Sequence, residues 1–120
     1  MSKLSRTKGN VYERHISNRL KAMGHNTRRG VQFQGGPDSP DVVGIPGVHI
    51  ECKHMAKVNI HAAMKQAVGD AGENVPAVFH RVNRGEDCVT IRLDDLPTFL
   101  DKWDASLALA KVNTGEDKAQ

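Results

Sequence analysis

Apolar residues near the N-terminus recur at the spacing of a helix. Four of them lie about one turn apart: Tyr12, Ile16, Leu20 and Met23. The pattern predicts a helix over residues 10–23, capped by Asn10 and stopped at Gly24. Residues 27–33 instead alternate in polarity, which predicts a half-buried strand that ends in the turn-forming run 35–39.

Two short β-rich runs, residues 40–45 and 48–53, follow on either side of Pro46-Gly47. Short β-rich runs joined by a turn signal predict an antiparallel hairpin. Asn59 is then predicted to cap a second helix that ends near Gly72. One apolar stripe marks the buried side of that helix: Ile60, Ala63, Met64, Ala67 and Val68.

The C-terminal half predicts two more strands, over residues 75–82 and 88–93, and a last helix. Asp94 or Asp95 is predicted to cap this helix, whose early Pro97 is tolerated in a first turn. Its predicted buried residues are Leu96, Phe99, Leu100 and Trp103. The order helix, three strands, helix, two strands, helix predicts an α/β fold, with a mixed sheet of about five strands flanked by helices.

The 120 residues suffice for one domain. We expect this domain to span residues 1–112, with a basic, flexible segment at 1–8 and a disordered polar tail at 113–120. The two cysteines, Cys52 and Cys88, show no metal or redox spacing and are expected to be reduced and buried. No run is long enough to span a membrane and no signal peptide is evident, so a cytoplasmic protein without membrane association is expected.

Positive charge is concentrated at the N-terminus. Residues 1–30 carry eight Lys or Arg and one acid, a net +7, whereas the whole chain carries +3. This predicts a phosphate-binding surface, although a solvated basic tail is the alternative for Lys3 and Arg6. The five aromatic residues are not interleaved with the basic ones, which disfavours a protein that stacks single-stranded bases.

The hairpin carries the residues that could perform chemistry. Metal-assisted phosphodiester hydrolysis needs carboxylates that hold Mg²⁺ and a group that positions water. A loop of three or five residues around Pro46 would pair Asp41 with Glu51 and bring Lys53 onto the same face, whereas a two-residue loop would separate the two acids. Asp38 is three residues before Asp41, so its side chain would point to the opposite face, and it lies in the glycine-rich turn. Asp41 is therefore the preferred ligand.

Pro40-Asp41, nine residues and then Glu51-Cys52-Lys53 resemble the PD-(D/E)xK nuclease superfamily. Within it, the chain is most similar to archaeal and phage Holliday junction resolvases, whose hairpin follows a helix with a glutamate and a strand with arginines. Residues 9–13 and Arg28-Arg29 match those features, and the resemblance covers residues 8–93. Cys52 departs from the usual Val, Ile or Leu, which matters little if only its carbonyl is used.

The resemblance implies a restriction-endonuclease-like fold and a Mg²⁺-dependent endonuclease of a phage or prokaryotic host, with Mn²⁺ as a substitute. Asp41, Glu51 and the Cys52 carbonyl would hold the metal, and Lys53 would orient the water. Glu13 would be a further ligand and Gln66 would contact the site. The implied partners are four-way junction DNA and a second copy of the chain in a homodimer. Candidate DNA-binding residues are Arg6, Lys8, Arg28, Arg29, Ser39, His49 and Lys57.

Several alternatives remain open from the sequence. Glu13 could instead form a capping box with Asn10, and Gln66 could be an ordinary helix-surface residue. His49, His54 and His61 are close in sequence but lack zinc-binding spacing. The protein could also be another structure-specific, nicking or repair endonuclease, or a DNA-binding module without activity.

Overall fold

A five-stranded sheet with helices on both faces makes up the fold. The computed structural model describes residues 3–30 and 39–114, and only the backbone of residues 3–8, 113 and 114. The elements follow one another as α1 (Lys3–Ala22), β1 (Arg28–Arg29), β2 (Val42–Val43), β3 (Val48–Met55), α2 (Ile60–Ala71), β4 (Val75–Val82), β5 (Cys88–Ile91) and α3 (Leu96–Thr114), with a 3-10 turn at Leu93–Asp95. This confirms the predicted mixed α/β architecture.

The strands lie in the sheet in the same order as in the chain. Neighbouring strands are antiparallel except for β3 and β4, which run parallel. Parallel neighbours need a long crossover connection, and α2 provides it. The predicted first strand extended to residue 33, but residues 31–33 lie outside the described residues, as do residues 35–38 of the predicted turn.

Helix α1 begins earlier than predicted. It starts at Lys3, so the prediction of Asn10 as N-cap is wrong: Asn10 lies inside the helix. The preceding turns are polar and give no apolar periodicity that would have revealed them. The predicted stop is confirmed, because Gly24 adopts a φ of +109° and the His25 N–H donates to the Leu20 carbonyl at 3.0 Å.

Two apolar cores cover the two faces of the sheet. The larger one joins α1 and α3 to the sheet and contains Tyr12, Ile16, Leu20, Val42, Ile45, Val48, Ile50, Val75, Ala77, Phe79 and Phe99. The smaller one lies under α2 and contains Ala63, Ala67 and Val78, with Ile60 and Met64 packed against it. Asn59 caps α2 as predicted, since its Oδ1 accepts a hydrogen bond from the Ala62 N–H at 3.1 Å.

The buried face of α3 differs in part from the prediction. Phe99 is buried and Trp103 packs against the larger core, but Leu96 and Leu100 are 39% and 51% exposed. Helical spacing identifies an apolar stripe without showing how much of it the rest of the fold covers. Asp95 directly precedes α3, and its Oδ2 accepts a hydrogen bond from Arg92 Nε at 2.7 Å.

The two cysteines have different environments. Both are free, with Cys52 half-buried and Cys88 exposed, so the expectation of burial is wrong for Cys88. Burial raises the pKa of the Cys52 thiol, and the charge of Asp41 raises it further. Within the described residues, no helix is long and apolar enough to cross a membrane. Residues 115–120 of the predicted tail lie outside those residues.

A polar cluster ties α1 to the turn between β4 and β5. The Asp87 carboxylate accepts hydrogen bonds from Tyr12 Oη at 3.1 Å and Arg19 Nη1 at 3.0 Å, and it lies 2.6 Å from His15 Nε2. Burial acts to raise the pKa of Asp87, but these partners outweigh it and the net shift is downward. The cluster holds α1 against the sheet and thereby positions Glu13, which lies between Tyr12 and His15 on that helix.

Candidate active site at the hairpin

The β2–β3 hairpin has the register that brings the two acids together. Val42 lies opposite Ile50, and in this register Asp41 is opposite Glu51, as predicted. Val42 and Ile50 are fully buried in the larger core. Because side chains alternate along a strand, burial of these two residues directs their acidic neighbours away from that core.

The turn between the strands explains this register. The Val48 N–H donates to the Ile45 carbonyl at 3.1 Å across Pro46-Gly47, and Gly47 has a φ of +86°. Proline followed by a residue with positive φ is the pattern of a type II turn. Gly44, with a φ of +126°, lengthens the connection beyond two residues. Asp41 and Glu51 therefore lie on the same face of the hairpin, whereas a two-residue loop would have placed them on opposite faces.

Asp41 is held by the backbone on three sides. Its N–H donates to the Ile50 carbonyl at 2.8 Å, and its own carbonyl accepts from the Gly30 N–H at 2.9 Å. Its Oδ2 accepts from the Cys52 N–H at 2.8 Å. A Cβ on Gly30 would lie 2.2 Å from the Pro40 carbonyl oxygen, so the close approach of β1 requires glycine there. These contacts give the Asp41 carboxylate a defined position.

Three carboxyl groups interact at this point. Burial is the main reason why the pKa of Asp41 is raised to about 7; the Cys52 amide opposes the rise, and the charges of Glu51 and Glu13 add to it. Asp41 and Glu51 lie opposite each other across the hairpin, in the register that pairs Val42 with Ile50. In the absence of a cation, such a pair retains a proton. A divalent cation between the carboxylates would take the place of that proton, so this donor set fits a hard, oxygen-seeking metal such as Mg²⁺.

Glu13 reaches this group from α1. Its Oε1 accepts a hydrogen bond from Arg29 Nε at 3.2 Å, and Arg29 Nη2 donates to Asn10 Oδ1 at 2.9 Å. The capping-box alternative for Glu13 is therefore wrong, since Asn10 is bound to β1 within a continuous helix. Burial raises the pKa of Glu13, Arg29 counteracts the rise, and Glu51 adds to it.

Lys53 and Gln66 meet on the α2 side of the sheet. Lys53 Nζ donates to Gln66 Oε1 at 3.2 Å. The structure thus brings together Lys53, on the same strand as Glu51, and the glutamine that the resemblance indicated. The interaction leaves other Nζ protons of Lys53 free to donate, since an ammonium group carries three.

His49 does not occupy the position expected for a DNA contact. Its side chain is only 3% exposed, and its Nε2 lies 2.8 Å from Glu51 Oε1. Burial under α2 therefore argues against the predicted contact. His49, Glu51 and Asp70 each offer a ligand atom within 4.8 Å of the others. Asp70 was not among the residues predicted from the sequence, although its position four residues after Gln66 places it on the same face of α2.

The remaining candidate DNA-binding residues are less tightly grouped. Arg28 and Lys57 are exposed and Ser39 is half-buried, whereas Arg29 is bound to Glu13 and Asn10. The side chains of Arg6 and Lys8 lie outside the described residues, and so does all of Asp38. Ligation by the Cys52 carbonyl remains a prediction.

Comparison with known protein families gives a match over most of the chain. The family described as archaeal Holliday junction resolvase (Hjc) matches residues 4–107. No curated protein matches the chain, and no solved structure does. The matched span contains both strands of the hairpin, Glu13 and the whole of α2.

Proposed function

This chain belongs to the archaeal Holliday junction resolvase family, and from that premise we propose that it is a Mg²⁺-dependent endonuclease that cleaves four-way DNA junctions. The observation that carries the proposal is the convergence of Asp41 and Glu51 on one hairpin, with Glu13 near them. Family membership supports a nuclease of the junction-resolving type. The metal, the individual residue roles and the preference for junctions are our inferences.

Three features support a divalent cation at the hairpin. Asp41 and Glu51 provide carboxylate oxygens, and Glu13 adds a third charge close enough to raise the pKa of Asp41. The Asp41 carboxylate is preoriented by the Cys52 amide. When bound, Mg²⁺ would polarise the scissile phosphate and lower the pKa of a water molecule, and Mn²⁺ would fit the same oxygen ligands.

Lys53 and Gln66 would act on the nucleophile and on the developing charge. We infer that Lys53 Nζ, held by Gln66 Oε1 at 3.2 Å, orients the attacking water and donates to the phosphate oxygen on which negative charge grows. Charge that is already in position when the transition state forms is a strong source of rate enhancement. Gln66 would keep this ammonium from rotating away.

DNA binding would rely on the basic N-terminal part of the chain. Residues 1–30 carry a net +7. Arg28, Arg29, Lys57 and Ser39 would contact phosphates around the site, and Arg6 and Lys8 are further candidates from the sequence. A four-way junction is cut on two symmetric strands. We therefore propose that two copies of the chain act as a homodimer with two-fold symmetry.

A binding module without activity is less consistent with this site. Asp41 and Glu51 next to a DNA phosphate would repel it unless a cation lay between them. Another structure-specific or nicking endonuclease would use the same acids, so the choice of DNA substrate must be decided by experiment.

Cleavage of labelled four-way junction, linear duplex and single strand, each with Mg²⁺ or EDTA, tests the proposal. We expect junction cleavage that requires Mg²⁺, that Glu51→Gln abolishes, and that Lys53→Ala lowers by about 100- to 1,000-fold. The matched controls Glu73→Gln and Lys65→Ala, both at exposed positions, should retain activity.

Two outcomes would contradict different parts of the proposal. Cleavage in EDTA, or full activity of Glu51→Gln, would overturn the metal site. Equal cleavage of linear duplex and junction would overturn junction specificity but leave the endonuclease.

A further inference from the structure

A buried histidine contacts the carboxylate at the centre of the proposed metal site. The His49 and Glu51 side chains are 3% and 5% exposed, and Nε2 lies 2.8 Å from Oε1. A hydrogen bond between the ring and an ionised Glu51 carboxylate requires a proton on Nε2, because such a carboxylate can only accept. Among the sequence predictions, this residue was assigned only a DNA contact, which its burial does not allow.

Glu51 has two polar neighbours. His49 contacts Oε1, and Asp41 lies opposite Glu51 across the hairpin, close enough for the charge of Glu51 to raise the pKa of Asp41. A carboxylate at the end of a flexible glutamate side chain has several rotamers, and the imidazole selects one of them.

Asp70 lies close to this contact. It projects from α2, and its carboxylate belongs to the same group as the His49 ring and Glu51, with one ligand atom from each within 4.8 Å of the others. The imidazole thus lies near an acid of the helix as well as an acid of the strand. Burial of the ring restricts its movement away from Glu51.

We propose that His49 is a positioning residue, which donates from Nε2–H to Glu51 Oε1 and holds the Glu51 carboxylate in the orientation that binds the divalent cation together with Asp41. This inference rests on the proposed function. Hydrogen bonds to ligating carboxylates orient the ligand, and their removal weakens metal binding by about 10- to 100-fold. Removal here would also leave a buried carboxylate without its donor.

The same three residues could instead hold a cation directly, with His49 as a ligand. The short contact between Nε2 and Oε1 favours the positioning role, because a hydrogen bond occupies the nitrogen that a cation would need. The two arrangements differ in whether Nε2 carries a proton. It keeps its proton when His49 positions Glu51 and loses it when His49 ligates a metal.

Calorimetric titration of the EDTA-stripped full chain with Mn²⁺, without DNA, tests the inference. His49→Leu fills the space without a donor and should weaken Mn²⁺ binding by about 10- to 100-fold. His49→Gln places an amide N–H near the position of Nε2 and should restore much of the affinity. His61→Leu, at an exposed histidine of α2, is the matched control and should bind like the parent.

A second measurement uses the parent protein, so it does not depend on how the variants fold. Nitrogen-15 NMR of the imidazole should show a proton on His49 Nε2 both before and after saturation with Mg²⁺. Loss of that proton on cation addition would overturn the positioning role, and so would Mn²⁺ affinity of His49→Leu equal to that of the parent. A parent that binds no Mn²⁺ would overturn the proposed metal site and this inference with it.

Discussion

Replacing Asp41 by Asn should stabilise the cation-free protein while abolishing the proposed metal site. Asparagine keeps an oxygen to accept the Cys52 N–H and adds an amide that can donate to Glu51. What it removes is the negative charge that the fold holds beside Glu51 and Glu13. The substitution therefore removes the buried charge and keeps the shape of the side chain, so a change in stability reports the free-energy cost of the charge.

The magnitude follows from the pKa of Asp41. A rise from the ordinary 3.8 to about 7 corresponds to about 4 kcal/mol between the two protonation states. Because the folded-state pKa is the higher one, stability is lost as the pH rises from about 4 to about 7, and the loss is complete above that range. Residual solvent access and the interaction of Asp41 with Glu51 reduce the effect, so we expect Asp41→Asn to gain about 1–3 kcal/mol at pH 8 and less at pH 5.

Urea unfolding in EDTA at pH 5 and pH 8, followed by the fluorescence of Trp103, the single tryptophan, measures the gain. Asp101→Asn, at an exposed position of α3, is the control and should change little. Mg²⁺ at 100 times its Kd should stabilise the parent by about 2.7 kcal/mol and leave Asp41→Asn unchanged. A variant no more stable than the parent at pH 8, or an equal gain at both pH values, would refute the argument from buried charge.

Three further predictions concern other parts of the site and fold. Gly44→Ala should destabilise the protein by about 2 kcal/mol or more in urea unfolding, because its Cβ would lie 2.3 Å from a backbone carbonyl oxygen at a φ of +126°. Iodoacetamide at pH 8 should modify exposed Cys88 much faster than half-buried Cys52, as peptide mass spectrometry would reveal; equal rates would contradict the burial of Cys52. Arg29→Ala should raise the pKa of the Glu13 carboxyl in an NMR titration, because Arg29 is the group that lowers it; an unchanged pKa would argue against their ion pair.

The hairpin could be predicted because its information is local. The alternation of Val42, Ile50 and their polar neighbours, together with the Pro46-Gly47 turn, determines the register in which Asp41 faces Glu51. The same holds for the order of helices and strands and for the caps at Gly24 and Asn59. In each case, residues close in sequence specify the backbone conformation.

Contacts between distant segments could not be predicted in this way. The sequence placed Asn10 at a helix start, whereas the fold uses it and Glu13 to bind Arg29. It also left His49 on an accessible face, because strand periodicity does not tell which helix will cover that face. Asp70 joins His49 only because α2 crosses the sheet at that position.

The sequence by itself therefore determined the order of helices and strands and the register in which the hairpin places Asp41 opposite Glu51, since these depend on short-range geometry. Only the tertiary structure decided which groups surround that pair. The depth of burial raises the pKa of Asp41. The docking of α1 brings Glu13 to one side of β3, and the docking of α2 brings Gln66 and Asp70 to the other side, where they meet Lys53 and His49. Burial and electrostatic interactions depend on distances across the whole fold, which spacing along the chain does not contain.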